Sequence, residues 1–250
     1  MRKTGGGARA ARPTLRGMDP LNDAATSPYV LSLNVGRLTP VPHSDSPSGG
    51  TGIDKRPVAG PLHVSAPGPK GIGGSGVEGD VVADLRHHGG DDQAVYAFAR
   101  EDLDAWESEL GRPLANGAFG ENLTTSGLDV SHALIGERWR IGGRLLLEVT
   151  DGRVPCRTFA GHVGEDRWVK RFTRRAETGA YLRVLEAGPV RAGDPVVREY
   201  VPEHGVTASL AFRANTTERA LLPRLLPAAR ALHPEALAAA RAYVDSGQGS

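Results

Sequence analysis

The single cysteine of the 250-residue chain, Cys156, stands in the run Arg153-Val154-Pro155-Cys156-Arg157, directly after the strand-like stretch 144–150. A thiol placed between a proline and two arginines, where an apolar run ends, would meet solvent or a ligand under positive potential. Cations favour the thiolate, which is the nucleophilic and soft-metal-binding form of cysteine. The alternative is a small buried hydrophobe, because free cysteine is among the most buried residue types. A second candidate is the segment 80–92, in which Arg86, His87 and His88 precede Gly89-Gly90. Paired glycines can take the positive dihedrals that let backbone amides converge on an anion, so this segment could hold a phosphate or oxyanion. A polar turn with two solvated histidines is the plainer reading. Zinc fits poorly, since His87, His88 and the remote Cys156 lack the paired ligand spacing of a structural site. Gly71-Ile72-Gly73-Gly74 has glycines but no strand leading in and no helix following, so it is expected to be a loop rather than a dinucleotide site. Asn122 offers both a donor and an acceptor, and its neighbour Glu121 would point to the opposite face of a strand.

The elements that must position these groups are mostly short strands. Residues 29–35 alternate apolar and polar before Gly36 stops them, and residues 62–65 follow prolines that favour a sheet edge. An apolar strand over 94–99 leads into a helix over 101–110, with Leu103, Trp106 and Leu110 on one face and Gly111 at its end. Residues 135–142 and 144–150 predict a hairpin around Gly142-Gly143. Past Cys156, Gly164-Glu165-Asp166 precedes a predicted basic helix through Arg175, with Trp168, Val169 and Phe172 on one side, and then come strands over 180–185 and 196–200. Many short strands with few helices predict a mainly β fold with some α, as a closed or nearly closed barrel. From Thr207 the composition becomes rich in Leu, Ala and Arg. Helices are expected over 216–226, capped by Asn215 or Thr216, and over 234–244, with Pro234 in the first turn. The expected organisation is a disordered N-terminal tail over 1–27, one domain over 28–203 and a small helical C-terminal extension over 204–250. The tail's Gly, Ala, Arg and Pro cannot offset the entropy of ordering. The extension either packs on the barrel or offers the surface of a homodimer.

Composition narrows the function classes. A net charge of +1 argues against nucleic acid and membrane surfaces as partners. One cysteine excludes an internal disulfide framework and suits a reducing compartment. No stretch approaches the roughly 18 apolar residues of a membrane helix, and the Arg-rich start lacks the apolar core of a secretory signal. Cytoplasm is the expected location.

Five pieces then converge. Ile53-Asp54-Lys55-Arg56-Pro57-Val58, His87-His88-Gly89-Gly90 with Ala94-Val95-Tyr96, the run from Gly117 to Thr125, Arg153-Val154-Pro155-Cys156, and the run from Gly179 to Leu185 resemble the MOSC domain in order and spacing. That domain is named for the C-terminal part of molybdenum-cofactor sulfurases. The resemblance spans residues 29–245 and is greatest to the stand-alone bacterial branch with a C-terminal three-helix extension. It implies a MOSC-type β-barrel, similar to the barrel of pyruvate kinase, and molybdenum held through a pyranopterin with Cys156 as thiolate ligand. The family also carries an association with pyridoxal phosphate binding. Similar members reduce small N-hydroxylated compounds, such as hydroxylamino-purines, with electrons from a separate flavoprotein. The chain has no flavin or iron–sulfur motif, so an external flavoprotein or ferredoxin-type donor is implied. Lys55, Arg86, His88 and Arg153, with the turn Gly89-Gly90, are the candidates for the cofactor's phosphate, and Asn122 for orienting it. His88 is the candidate proton donor, because an unperturbed imidazole titrates near neutrality. Where the family usually has Pro or Ser, this chain has Gly152, which suggests a more flexible approach to Cys156. Two other functions stay open: a sulfur carrier with a persulfide on Cys156, and a non-catalytic module that binds the cofactor or an anion.

Overall fold

Short apolar runs punctuated by glycine give a succession of short elements, and the computed structural model describes them over residues 27–247, together with Met1. The expected tail, apart from Met1 and Ser27, lies outside the described residues. In chain order the elements are β1 (Tyr29–Gly36), β2 (Thr39–Pro40), β3 (Gly50–Thr51), β4 (Lys55–Pro57), β5 (Leu62–Val64), β6 (Val95–Ala99), α1 (Arg100–Leu110), β7 (Leu123–Ser126), β8 (Arg138–Ile141) and β9 (Leu145–Asp151). They continue with α2 (Arg157–Val163), α3 (Trp168–Arg175), β10 (Ala180–Glu186), β11 (Gly188–Val190), β12 (Val196–Tyr200), α4 (Ala208–Thr216) and α5 (Pro234–Asp245). Short 3-10 helices cover Asp91–Gln93 and Arg219–Ala228.

Eight strands form one sheet in the order β12-β8-β9-β10-β6-β7-β1-β4. Its pairs are antiparallel except β6 with β7, which are parallel. The sheet closes on itself through β1. The Val30 N–H donates to the Asp194 carbonyl, the Gly193 N–H to the Val30 carbonyl and the Val196 N–H to the Pro28 carbonyl, at 2.8–2.9 Å. A ring of this kind removes the free edges that an open sheet would expose. The mainly β barrel expected from the strand pattern is therefore observed.

Two apolar clusters fill the molecule. One lies inside the barrel, around Leu33, Val95, Trp139 and Leu182, and runs without a break into Ala211 and Leu225 of the C-terminal segment. The other is aromatic: Trp106 of α1, Phe119, Phe159 of α2, and Trp168 and Phe172 of α3 are all buried and meet mostly edge-on or tilted, with Trp106 stacked on Phe172. Trp106 is thus a core residue, as its helix pattern indicated. Three details differ from the sequence pattern. Val169 faces solvent, because only Trp168 and Phe172 of α3 turn inward. Thr216 is the last residue of α4 rather than a cap; the cap is Thr207, whose hydroxyl accepts the Leu210 N–H at 3.0 Å. The expected helix over 216–226 is a 3-10 turn series, since Pro223 and Pro227 cannot donate the backbone bonds of an α-helix.

Candidate functional site

Strand β9 ends at Asp151, and the chain then passes through Gly152, Arg153, Val154 and Pro155 to Cys156, the N-cap of α2. As the cap, its Sγ accepts the Phe159 N–H at 3.4 Å. Cys156 is half-buried and lines a cavity of about 380 Å³. The loop over 39–52 walls one side of it, with His43 packed against Gly161 of α2 and Ser44 to Ser46 along the rim.

Arg153 is buried at 7% exposure in the same cavity wall. Its guanidinium lies 4.6 Å from the Phe159 ring centroid and 5.0 Å from that of Tyr96. Among the described residues it makes no ion pair, and its Nε is buried with no hydrogen-bond partner. Two rings hold the charge in place, and no carboxylate neutralises it. Burying a guanidinium in this way is costly unless an anion meets it.

Lys55 also lines the cavity, but its ammonium is paired with Asp80. The Asp80 carboxylate further accepts the Gly36 N–H at 2.8 Å and the Asn122 Nδ2 amide at 2.9 Å. Burial pushes the Lys55 pKa down, opposed by the charge of Asp80. Asn122 is saturated as well, because its Oδ1 accepts the Tyr96 N–H at 3.2 Å. Lys55, Asp80 and Asn122 therefore form a rigid polar floor. Glu121 turns away to hold its own loop, accepting the Gly117 and Phe119 N–H groups and the Thr124 hydroxyl.

The segment before the double glycine behaves differently from expectation. Arg86 is exposed and bound to Asp84 through Nε at 2.9 Å and through a terminal nitrogen at 2.8 Å, outside the cavity lining. The structure does not bring it into the cavity, and a two-residue Asp84–Arg86 fork takes its charge instead. Gly89 and Gly90 do adopt positive φ angles of 81° and 80°. They use them to pack on the neighbouring loop, and the Gly90 N–H donates to the Gly74 carbonyl rather than to an anion. Gly89 lines the cavity; Gly90 does not. His88 lines the cavity, but burial first, and then the charge of Arg153, lower its pKa to about 4. It is neutral at neutral pH, so the reason for assigning it as an imidazolium proton donor is removed.

Sequence reasoning missed Asp80, Tyr181, Gln93 and Asp151, all of which line this cavity or the one beside it. Tyr181 could have been found, because its strand β10 pairs Tyr181 with Tyr96 in register. Asp80 and Asp151 carry no local signal. The Gly152 substitution has a packing cause: a Cβ there would lie 2.6 Å from the Thr178 hydroxyl and 2.9 Å from the Ala208 carbonyl. The approach to Cys156 is thus tight rather than flexible.

The site brings one thiol and one uncompensated guanidinium to a single cavity. No group of three or more His, Cys, Asp or Glu side chains stands together as a metal site among the described residues. A metal bound through Cys156 would need most of its ligands from elsewhere. The family model for the MOSC domain matches residues 84–197. The Bacillus subtilis protein YflK is 36% identical over 186 residues, which cover 74% of this chain and 80% of that protein. The chain belongs to the MOSC family. A MOSC relative of known structure, YiiM from Geobacillus stearothermophilus, superposes with a TM-score of 0.67 at 25% identity, covering 86% of this chain and 97% of that one. A protein of Gibberella moniliformis named Reductase is 32% identical over 133 residues, 52% of this chain and 23% of its own length. The match thus spans about a quarter of that relative. No helix of the described residues is long and apolar enough to cross a membrane.

Proposed function

We propose that this MOSC protein is a molybdenum-dependent reductase of small N-hydroxylated compounds of the hydroxylamino-purine type, fed by a separate electron donor. The observation that carries the reading is Arg153: a buried, aromatic-clamped guanidinium without a protein counter-charge, facing the cavity that holds the chain's single thiol. A pyranopterin supplies a phosphate for such a cation and sulfur ligands for a soft metal, so one protein thiolate completes the set. When bound, the cofactor would supply the two-electron redox chemistry.

The chain's own residues have simpler tasks. Cys156, fixed at the start of α2, would hold the metal. Arg153 would hold the phosphate, with the neutral His88 as a further hydrogen-bond partner. Lys55, Asp80 and Asn122 form the floor against which the ligand seats. The overall conversion takes R–NH–OH with two electrons and two protons to R–NH2 and water. The electrons come from an external flavoprotein or ferredoxin-type carrier.

Elemental analysis of the purified wild type and Cys156→Ala tests the reading. The expected result is near-stoichiometric molybdenum in the wild type, its loss in the variant, and reduction of 6-hydroxylaminopurine by the wild type with an artificial donor. Wild-type protein that contains no molybdenum when made in a cofactor-producing host, and that shows an added sulfur atom on Cys156 by mass spectrometry, would replace the reductase by a sulfur carrier. Molybdenum without turnover would leave a binding module.

A further inference from the structure

Helix α3 and the end of α4 enclose a groove of about 850 Å³ that shares no lining residue with the Cys156 cavity. Its charges are one-sided. The acids in its wall are already paired, Glu165 with Arg112 at 3.2 Å and Arg171 at 3.6 Å, and Glu218 with Arg213 at 2.6 Å. Arg167, Lys170 and Arg174 also line it, are exposed, and form no ion pair among the described residues. Among them stands Val169, 42% exposed, the apolar residue that α3 leaves outside.

A run of exposed cations on a helix is ordinarily a solvated face. Here the groove also touches the helix that Cys156 caps. Ala160, in the groove wall, donates its N–H to the Cys156 carbonyl at 3.0 Å. The Trp168 ring, in the same wall, lies 5.4 Å from the Phe159 ring between centroids, and the Phe159 N–H donates to Cys156 Sγ at 3.4 Å. Phe159 is also one of the two rings that clamp the Arg153 guanidinium, at 4.6 Å. A chain of bonded and packed groups therefore runs from the groove to both groups that the reductase reading assigns to the cofactor. Electron transfer needs no open passage, only such a packed route, so a carrier has only to seat at its outer end.

We propose that this groove is the docking face for the electron donor, and that the donor is a small one-electron carrier protein with an acidic surface. The inference rests on the reductase reading and deepens it by giving the donor a charge and a place on the chain. Three unpaired cations steer an acidic carrier by long-range attraction, and a single groove suits the small, short-lived interfaces of redox partners. Each encounter oxidises one reduced carrier by one electron. Two encounters thus supply the two electrons of one turnover, and solvent supplies the two protons. Because groove and cavity have separate walls, carrier and substrate can be bound together.

The test compares wild type, the triple variant Arg167→Glu/Lys170→Glu/Arg174→Glu, and a control, Arg198→Glu/Arg230→Glu/Arg241→Glu, which reverses exposed cations outside the groove. One readout is calorimetric binding of an oxidised acidic ferredoxin and of an oxidised flavodoxin, which needs no turnover. The other is reduction of 6-hydroxylaminopurine driven by either carrier, kept reduced, or by reduced methyl viologen. At an ionic strength of about 0.01 M the groove variant is expected to bind the carriers about tenfold more weakly and to lose about the same factor in kcat/KM for them. Its turnover with viologen should equal that of the wild type, and the control should stay within about threefold of wild type throughout. At about 1 M the advantage of the wild type should vanish. A wild type that binds neither carrier, a groove variant that binds them as the wild type does, or a control that loses as much would overturn the proposal. So would a change of oligomeric state in the groove variant on sedimentation, which would make the groove a contact between copies of this chain. Failure of the reductase reading looks different: the wild type would turn over with no donor, viologen included, while the carrier titrations would still report on the groove.

Discussion

A guanidinium clamped between two aromatic rings has a geometry that no other cation reproduces. Lysine lacks the planar fork and the stacking surface, so Arg153→Lys is expected to reduce molybdenum content and to weaken binding of inorganic pyrophosphate by about tenfold, the scale of one charged hydrogen bond. Equal loading in wild type and variant would remove Arg153 from the anion site. His88 makes a prediction about pH. Its folded pKa of about 4 lies below the ordinary 6.5, so the unfolded chain binds the extra proton between those values. The stability it contributes is complete above pH 6.5 and is lost as the pH falls towards 4. Thermal melts of His88→Asn should show a flatter acid limb than the wild type, and parallel limbs would contradict the burial of His88. That Cys156 and Arg153 share one cavity was legible in the sequence, because their types and the end of the strand before them already set them apart. Arg86 and Gly90 stand outside the cavity lining, and the sequence could not show this, because residue type tells what a turn can offer but not which way it faces. Asp151 and Gln93 were invisible because chain segments far apart in sequence bring them to their cavities.

At the scale of elements, the tight passage from β9 to α2 depends on Gly152. The oxygens of Thr178 and Ala208 occupy the space of a Cβ, so Gly152→Ala is expected to cost about 1–3 kcal/mol, as overpacking does. A melting temperature unchanged from wild type would show that α4 can retreat. The same substitution should lower molybdenum content, because moving β9's end relative to α2 moves Arg153 against Cys156. Strands were the most readable elements, since alternation and glycine stops mark them in β1, β6 and β9. The helices after Cys156 were less so. Before the expected basic helix the chain makes a further short one, α2, which ends at Gly164 in a left-handed turn, φ 73°, and α3 buries Trp168 and Phe172 but leaves Val169 outside. In the C-terminal segment the apolar spacing was right for a helix, but Pro223 and Pro227 converted it into 3-10 turns.

For the whole molecule, the continuity of the main core from barrel to C-terminal segment sets a further expectation. Leu222, Leu225, Ala211 and Ala240 are fully buried in the cluster that fills the barrel. Burial of each leucine contributes about 1.5–3 kcal/mol, which together approaches the 5–15 kcal/mol that holds a typical domain. A chain ending at Pro202 should therefore lose cooperative unfolding in urea, and a sharp transition at the wild-type midpoint would show that the barrel stands alone. The resemblance of five separated motifs made the barrel legible; the way the C-terminal segment walls the cavity beside that of Cys156 was not, because it depends on packing between distant stretches. The bonds that close the ring have a consequence in time. They join β1 to residues 193–196, so β1 leaves the ribosome well before the residues that cover its open side. Such distant pairing makes for slow folding. During that interval β1 is an uncovered edge on a nascent chain, and it is there that a chaperone, or a neighbouring copy, would find it first.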